Sequence, residues 1–278
     1  SLGRVNRLDR RVTGPNASTP ISPKDRFVTI YGRNPVLEAL GDPSLTVDKV
    51  LMADSAHGPH VSEIRSAARA RGVPVQLVGA ERVKKIAGNG KQDQGVCADV
   101  VAPRMRPLGL ALADGLRGPI IVLDGITTPA NVGMILRTAT AAGFSGIVVP
   151  RRGVASIAPR VVKASAGVAF KAPILKVATA VEAVRLLLGA GYRIAGLDAD
   201  GPADLFAADL PGDTAYVMGG ETAGLGAEVS ELVDTWVSIP MAGGVESLNV
   251  SAAAAVVCFD VVRRGLNRPS GSPERARR

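Results

Sequence analysis

Of the 278 residues 46% are hydrophobic, enough for one large core or two modest ones, and no run approaches the roughly 18 apolar residues of a membrane span. The N-terminus lacks the apolar core of a signal peptide, and the two cysteines, Cys97 and Cys258, stand singly in apolar sequence, which excludes a disulfide framework or zinc knuckle and points to a soluble, cytoplasmic chain. The net charge of +8 is concentrated at the ends: residues 1–26 carry +4 and residues 263–278 carry +5, leaving the middle at −1. Such tails serve either as sequence-independent contacts to phosphates or as solvated ends.

Residues 1–26, rich in Arg, Pro, Ser and Asn without an apolar period, read as a disordered basic tail. FVTIY (27–31) then reads as a strand, and Asn34-Pro35 as a cap followed by proline at the first helical position. Strands over 49–53, 73–78 and 95–102 alternate with helices over 61–72 and 81–88, which makes 27–103 a small α/β domain. His57 and His60 flank a Gly-Pro turn with no carboxylate or cysteine at ligand spacing, so no metal is expected.

Residues 104–118, proline-containing and without a long apolar run, read as a linker. Alternation restarts over 119–266, with short apolar strands at 119–124, 146–150, 172–177, 192–197, 214–219 and 234–240 and helices between most of them. A parallel sheet covered on both faces is expected, with ligands at the C-terminal ends of its strands. A second basic tail, 267–278, closes the chain.

Three loops at those strand ends are unusually polar and glycine-rich: DGITTPANVG (124–133), GGETAGLG (219–226) and AGGVESLN (242–249). Neither a G-x-G-x-x-G opening a helix after a first strand nor a phosphate-binding G-x-x-x-x-G-K-[ST] is present. The glycines of 219–226 then serve either a backbone-lined pocket for an adenine-containing cofactor or tight turns between buried elements. Glu246, Ser247 and Asn249 lie between a strand and an Ala-Val helix, and one of them, Asn249 or Ser247, can cap that helix. Asn131 and Arg137 belong to the first loop and its helix. An arginine in so apolar a helix either pairs with Glu221 to stabilise the fold or faces an anionic or hydroxyl-bearing substrate. No Ser-His or Cys-His pair is available for covalent catalysis.

NVGMILRTATAAG (131–143), VMGGETAGLG (217–226) and SIPMAGGVESLNVSAAAAVV (238–257) resemble, in order and spacing, the three motifs of the SpoU/TrmH family of RNA ribose 2′-O-methyltransferases, the SPOUT class. Upstream, YGRNPVLEAL (31–40) and QGVCADV (94–100) are similar to the ends of the ribosomal-protein-like RNA-binding domain of that family's rRNA-modifying branch. The resemblance covers roughly 30–265. It implies S-adenosylmethionine as methyl donor, a C-terminal α/β trefoil knot, and a homodimer with the active site at the subunit interface. It also implies that Gly219, Ile239 and Leu248 hold the cofactor and that Asn131, Arg137, Glu221, Ser247 and Asn249 form the polar catalytic set.

In the family the motif arginine is proposed as the base. A guanidinium pKa above about 12 favours instead a donor that holds a phosphate and stabilises alkoxide charge. Two departures, Asp93 before Gln94-Gly95 and the run Arg33-Asn34-Pro35, bear on substrate choice. The extra domain makes a guanosine of large-subunit (23S) rRNA the expected target. The alternatives are tRNA, or a non-catalytic RNA-binding or ribosome assembly protein, which would not need all five polar positions.

Overall fold

The computed structural model describes residues 25–87, 93–220 and 223–267. The small domain begins with β1 (Phe27–Tyr31), whose period-2 pattern buries Val28 and Ile30 and leaves Phe27, Thr29 and Tyr31 half-buried on the other face. It continues through α1 (Arg33–Gly41), β2 (Val47–Ala53), α2 (Pro59–Ala70), β3 (Val75–Val78), α3 (Ala80–Ala87) and β4 (Val96–Val101). The sheet order is β1-β4-β2-β3, antiparallel except for the β2–β3 pair. One face packs on α1 and α2 through Val36, Leu40, Val61 and Ile64. The other is only partly covered, by α3, whose Val83 sits on Leu51, Ala53 and Cys97.

Asn34 does not cap α1: the helix opens two residues earlier, after Gly32 at φ +95, and the backbone N–H of Arg33 donates to Gln94 Oε1 at 3.0 Å. Only glycine takes that φ readily, so the turn geometry rather than an Asn side chain sets the start of the helix. The last two residues of the expected tail are also ordered. Asp25 is buried and its carboxylate pairs with Arg151 of the large domain, whereas residues 1–24 and 268–278 lie outside the described residues.

The segment read as a linker contains β5 (Arg106–Pro107) and α4 (Leu108–Ala113), with Leu108 and Ala111 fully buried. Its apolar run, LGLALA, is too short to register as an amphipathic helix but long enough to cover the edge of the large sheet. That domain continues with β6 (Ile120–Leu123), α5 (Pro129–Ala141), β7 (Gly146–Pro150), α6 (Pro159–Ala164), β8 (Ile174–Val177) and α7 (Ala180–Gly189). It ends with β9 (Arg193–Leu197), β10 (Ala203–Asp204), β11 (Thr214–Met218), α8 (Ala227–Ser230), β12 (Thr235–Ser238) and α9 (Val250–Asn267).

The eight strands run β10-β12-β9-β11-β6-β7-β8-β5, and every pairing is parallel. Strands β6, β7 and β11 are buried along their whole length, as expected for a parallel sheet sandwiched between helices. Helices α4, α7 and α8 cover one face through Leu108, Val184, Leu187 and Val229; α5, α6 and α9 cover the other. Gly133 on α5 is where α6 crosses closely, since a Cβ there would lie 2.5 Å from that of Ala164.

From β6 the chain builds outward through β7 and β8, then crosses back to lay β9, β11 and β12 on the other side. The C-terminal ends of β6 and β11 therefore flank a topological switch point, the position at which open α/β sheets bind ligands. The glycine-rich loops at 124–128 and 219–226 both start there.

Candidate active site

At the end of β6, Asp124 is the first polar residue after four fully buried ones. Its backbone N–H donates to Met218 O at 2.9 Å, and its carboxylate accepts from Gly226 N at 2.7 Å, tying the first loop to the second. Gly220 and Gly224 exchange backbone hydrogen bonds of 3.1 and 2.9 Å, a bridge that brings these two glycines of the second loop together. The fit requires glycine. A Cβ on Gly219 would lie 2.4 Å from Gly224 C, and one on Gly220 would lie 2.5 Å from Gly125 O.

Beside this bridge opens a cavity of about 440 Å³, within the usual range for small-molecule sites. Gly219 and Gly220 form one wall, Ile239 and Leu248 another, and Ser247 and Asn249 bring polar atoms to the rim. Apolar surface comes from Leu197, Met218, Val237, Val250 and Ala253, and two carboxylates, Asp198 and Glu246, also line it. Of the residues singled out from sequence, Gly219, Ile239, Leu248, Ser247 and Asn249 thus share one cavity.

Asn131 and Arg137 both lie on α5, and Asn131 is the one tied to the cavity lining. Asn131 is 4% exposed, and its Oδ1 accepts from Asn249 Nδ2 at 3.2 Å. The Oδ1 of Asn249 in turn accepts from Ser251 N at 2.9 Å and from Ser251 Oγ at 2.6 Å, which makes Asn249, rather than Ser247, the cap of α9. Arg137 is exposed and has no carboxylate or carbonyl partner among the described residues. Its setting in an apolar helix does not bury it, because it falls on the face of α5 turned away from the sheet. Glu221, the expected partner, lies outside the described residues.

The remaining reactive groups are quiet. Burial pushes the thiols of Cys97 and Cys258 up to about 12 each, so neither is a nucleophile at neutral pH. Among the described residues no three His, Cys, Asp or Glu side chains converge on a metal position. Asp124 and Asp198 are not singled out from sequence, and Glu246 is named there only as one of the polar residues before α9. For Asp124 a signal existed, a lone acid ending a buried strand. The two departures in the small domain meet: Arg33 Nε donates to Gln94 O at 3.4 Å, beside the turn in which Asp93 accepts from Gly95 N.

Residues 118–259 match the SpoU rRNA Methylase family, and residues 29–106 match the family described as RNA 2'-O ribose methyltransferase substrate binding. The chain belongs to the SpoU rRNA methylase family. Among its relatives, the 23S rRNA (guanosine-2'-O-)-methyltransferase RlmB of Xanthomonas axonopodis pv. citri is 35% identical over 241 residues, covering 85% of this chain and 96% of the relative. A tRNA/rRNA methyltransferase of Mycolicibacterium vanbaalenii, described as uncharacterized, is 35% identical over 267 residues, covering 94% of this chain and 82% of its own. The crystal structure of AdoMet-bound rRNA methyltransferase from Sinorhizobium meliloti superimposes with a TM-score of 0.59 at 26% identity, covering 86% of this chain and 88% of that one. The SpoU match spans both the cavity and α5, and the substrate-binding match ends at β5.

Proposed function

We propose that this protein methylates the ribose 2′-hydroxyl of an RNA nucleotide, a guanosine in 23S rRNA, using S-adenosylmethionine. The observation that carries this reading is a glycine-walled cavity whose lining residue Asn249 hydrogen-bonds to Asn131 of α5, the helix that also carries Arg137. The relatives named as 23S rRNA guanosine methyltransferases give the RNA and the nucleotide.

The cavity suits the methyl donor. Backbone groups of Gly219, Ile239 and Leu248 sit beside apolar walls that fit a purine, and the carboxylates of Asp198 and Glu246 complement a sulfonium and an ammonium. Bound there, S-adenosylmethionine supplies an electrophilic methyl group. The chain's own task is then positioning, since an in-line attack gains most from holding the hydroxyl in place. Arg137, with its donors unengaged among the described residues, holds the phosphate beside the target ribose and stabilises charge developing on the 2′-oxygen. Asn131, Ser247 and Asn249 orient that ribose, with Glu221 assigned to the same set. The proton leaves to water or to a phosphate oxygen, because a guanidinium is a poor base at neutral pH.

A second copy of the chain completes the site in this reading. Met134 on α5, Leu248 in the third loop and Phe259 on α9 are 41%, 38% and 53% exposed, large apolar groups, on the elements that carry Arg137 and the cavity, that a homodimer would cover. The trefoil knot is supported by the strand order and by the return of 239–249 from β12 to the α5–α9 pair. Residues 27–103 serve as the RNA reader and 119–266 as the catalytic unit.

Incubating the protein with methyl-labelled cofactor and either unmodified 23S transcript or unmodified tRNA, then mapping the label, tests the proposal. Label at one guanosine 2′-oxygen is expected. Label only in tRNA would redirect the substrate, and cofactor binding without label in any RNA would make the protein an assembly factor.

A further inference from the structure

A second cavity, of about 510 Å³, lies at the seam between the two domains and is not part of the site described above. One wall is the half-covered face of the small sheet: Phe27, Thr29 and Tyr31 project from alternate positions of β1, next to Lys49 on β2 and Asp99 on β4. Arg82 and Ile86 of α3 close one end. The opposite wall is the C-terminal edge of the large sheet, with Pro150 and Arg151 at the end of β7 and Lys176 near the end of β8.

Four cations line this cavity, and two of them are matched. Lys49 pairs with Asp99 at 3.0 Å, Asp99 also accepting from Thr29 Oγ1 at 2.6 Å, and Arg151 pairs with the buried Asp25. Lys176 and Arg82 have no carboxylate or hydrogen-bond partner among the described residues. An unmatched ammonium on an otherwise apolar strand is costly to keep, and burial pushes Lys176 down to about 8, with Arg151 adding to the effect. A bound anion would relieve Lys176, and Arg82, exposed on α3, is a second cation to hold it.

The large sheet is parallel throughout, so the ends of β7 and β8 lie on the same edge as those of β6 and β11, where the cofactor cavity opens. From β11 to β8 are three strand spacings, roughly 14 Å in all. A backbone hydrogen bond from Ala155 N to Ile126 O, at 3.0 Å, links the loop of this cavity to the loop that leads into α5. A single-stranded segment can therefore run along one edge of the sheet from the seam to the cofactor cavity.

We propose that the seam cavity holds a nucleotide of the RNA substrate flanking the methylated one, its phosphate between Lys176 and Arg82 and its base against the ring of Tyr31. Aromatic faces beside cations are the usual means of holding single-stranded nucleic acid without reading its sequence. This assignment rests on the RNA methyltransferase reading given above. It adds the residues by which the two domains would grip one strand jointly, so that the small domain sets which nucleotide reaches Arg137.

The experiment measures binding of unmodified 23S transcript to the full chain across a range of salt concentrations, for Lys176→Met, Lys176→Arg, Arg82→Ala and Tyr31→Ala. Cofactor binding and thermal unfolding are recorded for each. Lys176→Met keeps the buried stem and removes the unmatched charge, so it is expected to fold at least as well as the unaltered chain. Its RNA affinity should drop several-fold, with the slope of log affinity against log salt reduced by roughly 0.7, the value for one phosphate contact on a single strand. Lys176→Arg should restore both, Arg82→Ala should resemble Lys176→Met, and Tyr31→Ala should weaken binding without changing the slope. Folded Lys176→Met and Arg82→Ala proteins with unchanged affinity and slope would overturn the seam site while unaltered methylation upheld the enzyme. An unaltered chain that neither binds nor methylates the transcript would overturn both readings.

Discussion

Asn131 and Asn249 stand 118 positions apart in sequence and meet side chain to side chain, Asn249 Nδ2 donating to Asn131 Oδ1 at 3.2 Å. The orientation of the Asn249 amide is fixed from behind, because its oxygen accepts from both the N–H and the hydroxyl of Ser251. One residue thus caps α9 with one end and reaches the α5 motif with the other. The two roles separate by substitution. Asn249→Asp keeps the acceptor that caps the helix but loses the donor, so its unfolding temperature should stay close to that of the unaltered protein while methyl transfer falls steeply. Asn249→Ala loses both, and should cost about 1 kcal/mol of stability in addition to activity. Parallel melting curves and methylation rates distinguish these outcomes; equal activity in the Asp variant would remove Asn249 from the polar set.

Arg137 should show the opposite separation from a structural ion pair. It is exposed and makes no ion pair or hydrogen bond among the described residues, so Arg137→Ala should change stability by no more than about 0.5 kcal/mol. Methyl transfer should fall by roughly 100-fold or more, the usual scale for removing a donor to developing oxyanion charge. Arg137→Lys should recover little, because one ammonium does not reproduce the planar fork of donors. Calorimetric titration with S-adenosylmethionine should give near-normal affinity in both variants, and a large loss there would move Arg137 to the cofactor side.

Gly219 illustrates a different constraint. With Gly224 C only 2.4 Å from where its Cβ would stand, Gly219→Ala must displace backbone rather than a flexible side chain. A loss of roughly 2–3 kcal/mol and weakened cofactor binding are expected. Gly189, at the end of α7, has nothing within 4 Å of its Cβ position, and Gly189→Ala should be neutral or stabilising by about 0.5 kcal/mol. Chemical denaturation of the pair provides its own control.

The alternation of short apolar strands and helices was legible because parallel strands buried on both faces need continuous apolar runs, and IIVL, GIVVP and TAYVM have them. Elements of two or three residues were not: β5 and β10 exist only because a neighbouring strand edge is there to pair with. The glycine run that begins at Gly219 is legible as a pocket or a tight turn, whereas Ile239 and Leu248 are reached only through motif resemblance, since nothing in their own types announces a ligand. Arg137 was read as a residue that would need partners if buried, whereas helical position alone leaves it facing outward. The seam cavity was invisible for a further reason. It depends on how the two domains pack, and Tyr31 and Lys176 are 145 positions apart with no shared pattern.

The pH response of the seam follows from Lys176. Its ammonium is held down to about 8 against an ordinary value of 10.5, chiefly by burial, then by Arg151, with Asp25 acting in the opposite sense. The other charged groups around it are Arg82, Arg151, Asp25, Asp99 and Lys49, the last held above its usual range by its hydrogen bond to Asp99. A lysine with a lowered folded pKa binds fewer protons folded than unfolded between those two values. Its contribution to stability therefore rises with pH from about 8 towards 10.5, and below 8 the folded protein bears the full cost of the buried charge. Lys176→Met should be the more stable protein at pH 7, and its advantage should shrink as pH rises through that window. RNA binding should respond in the other direction, because the phosphate needs the charged form: affinity of the unaltered chain should fall between pH 7 and 9, while that of Lys176→Arg, whose guanidinium does not titrate there, should stay level. Paired melting and binding curves at several pH values in constant salt check both signs, and a pH-independent affinity for the unaltered chain alongside Lys176→Arg would show that Lys176 does not hold the phosphate.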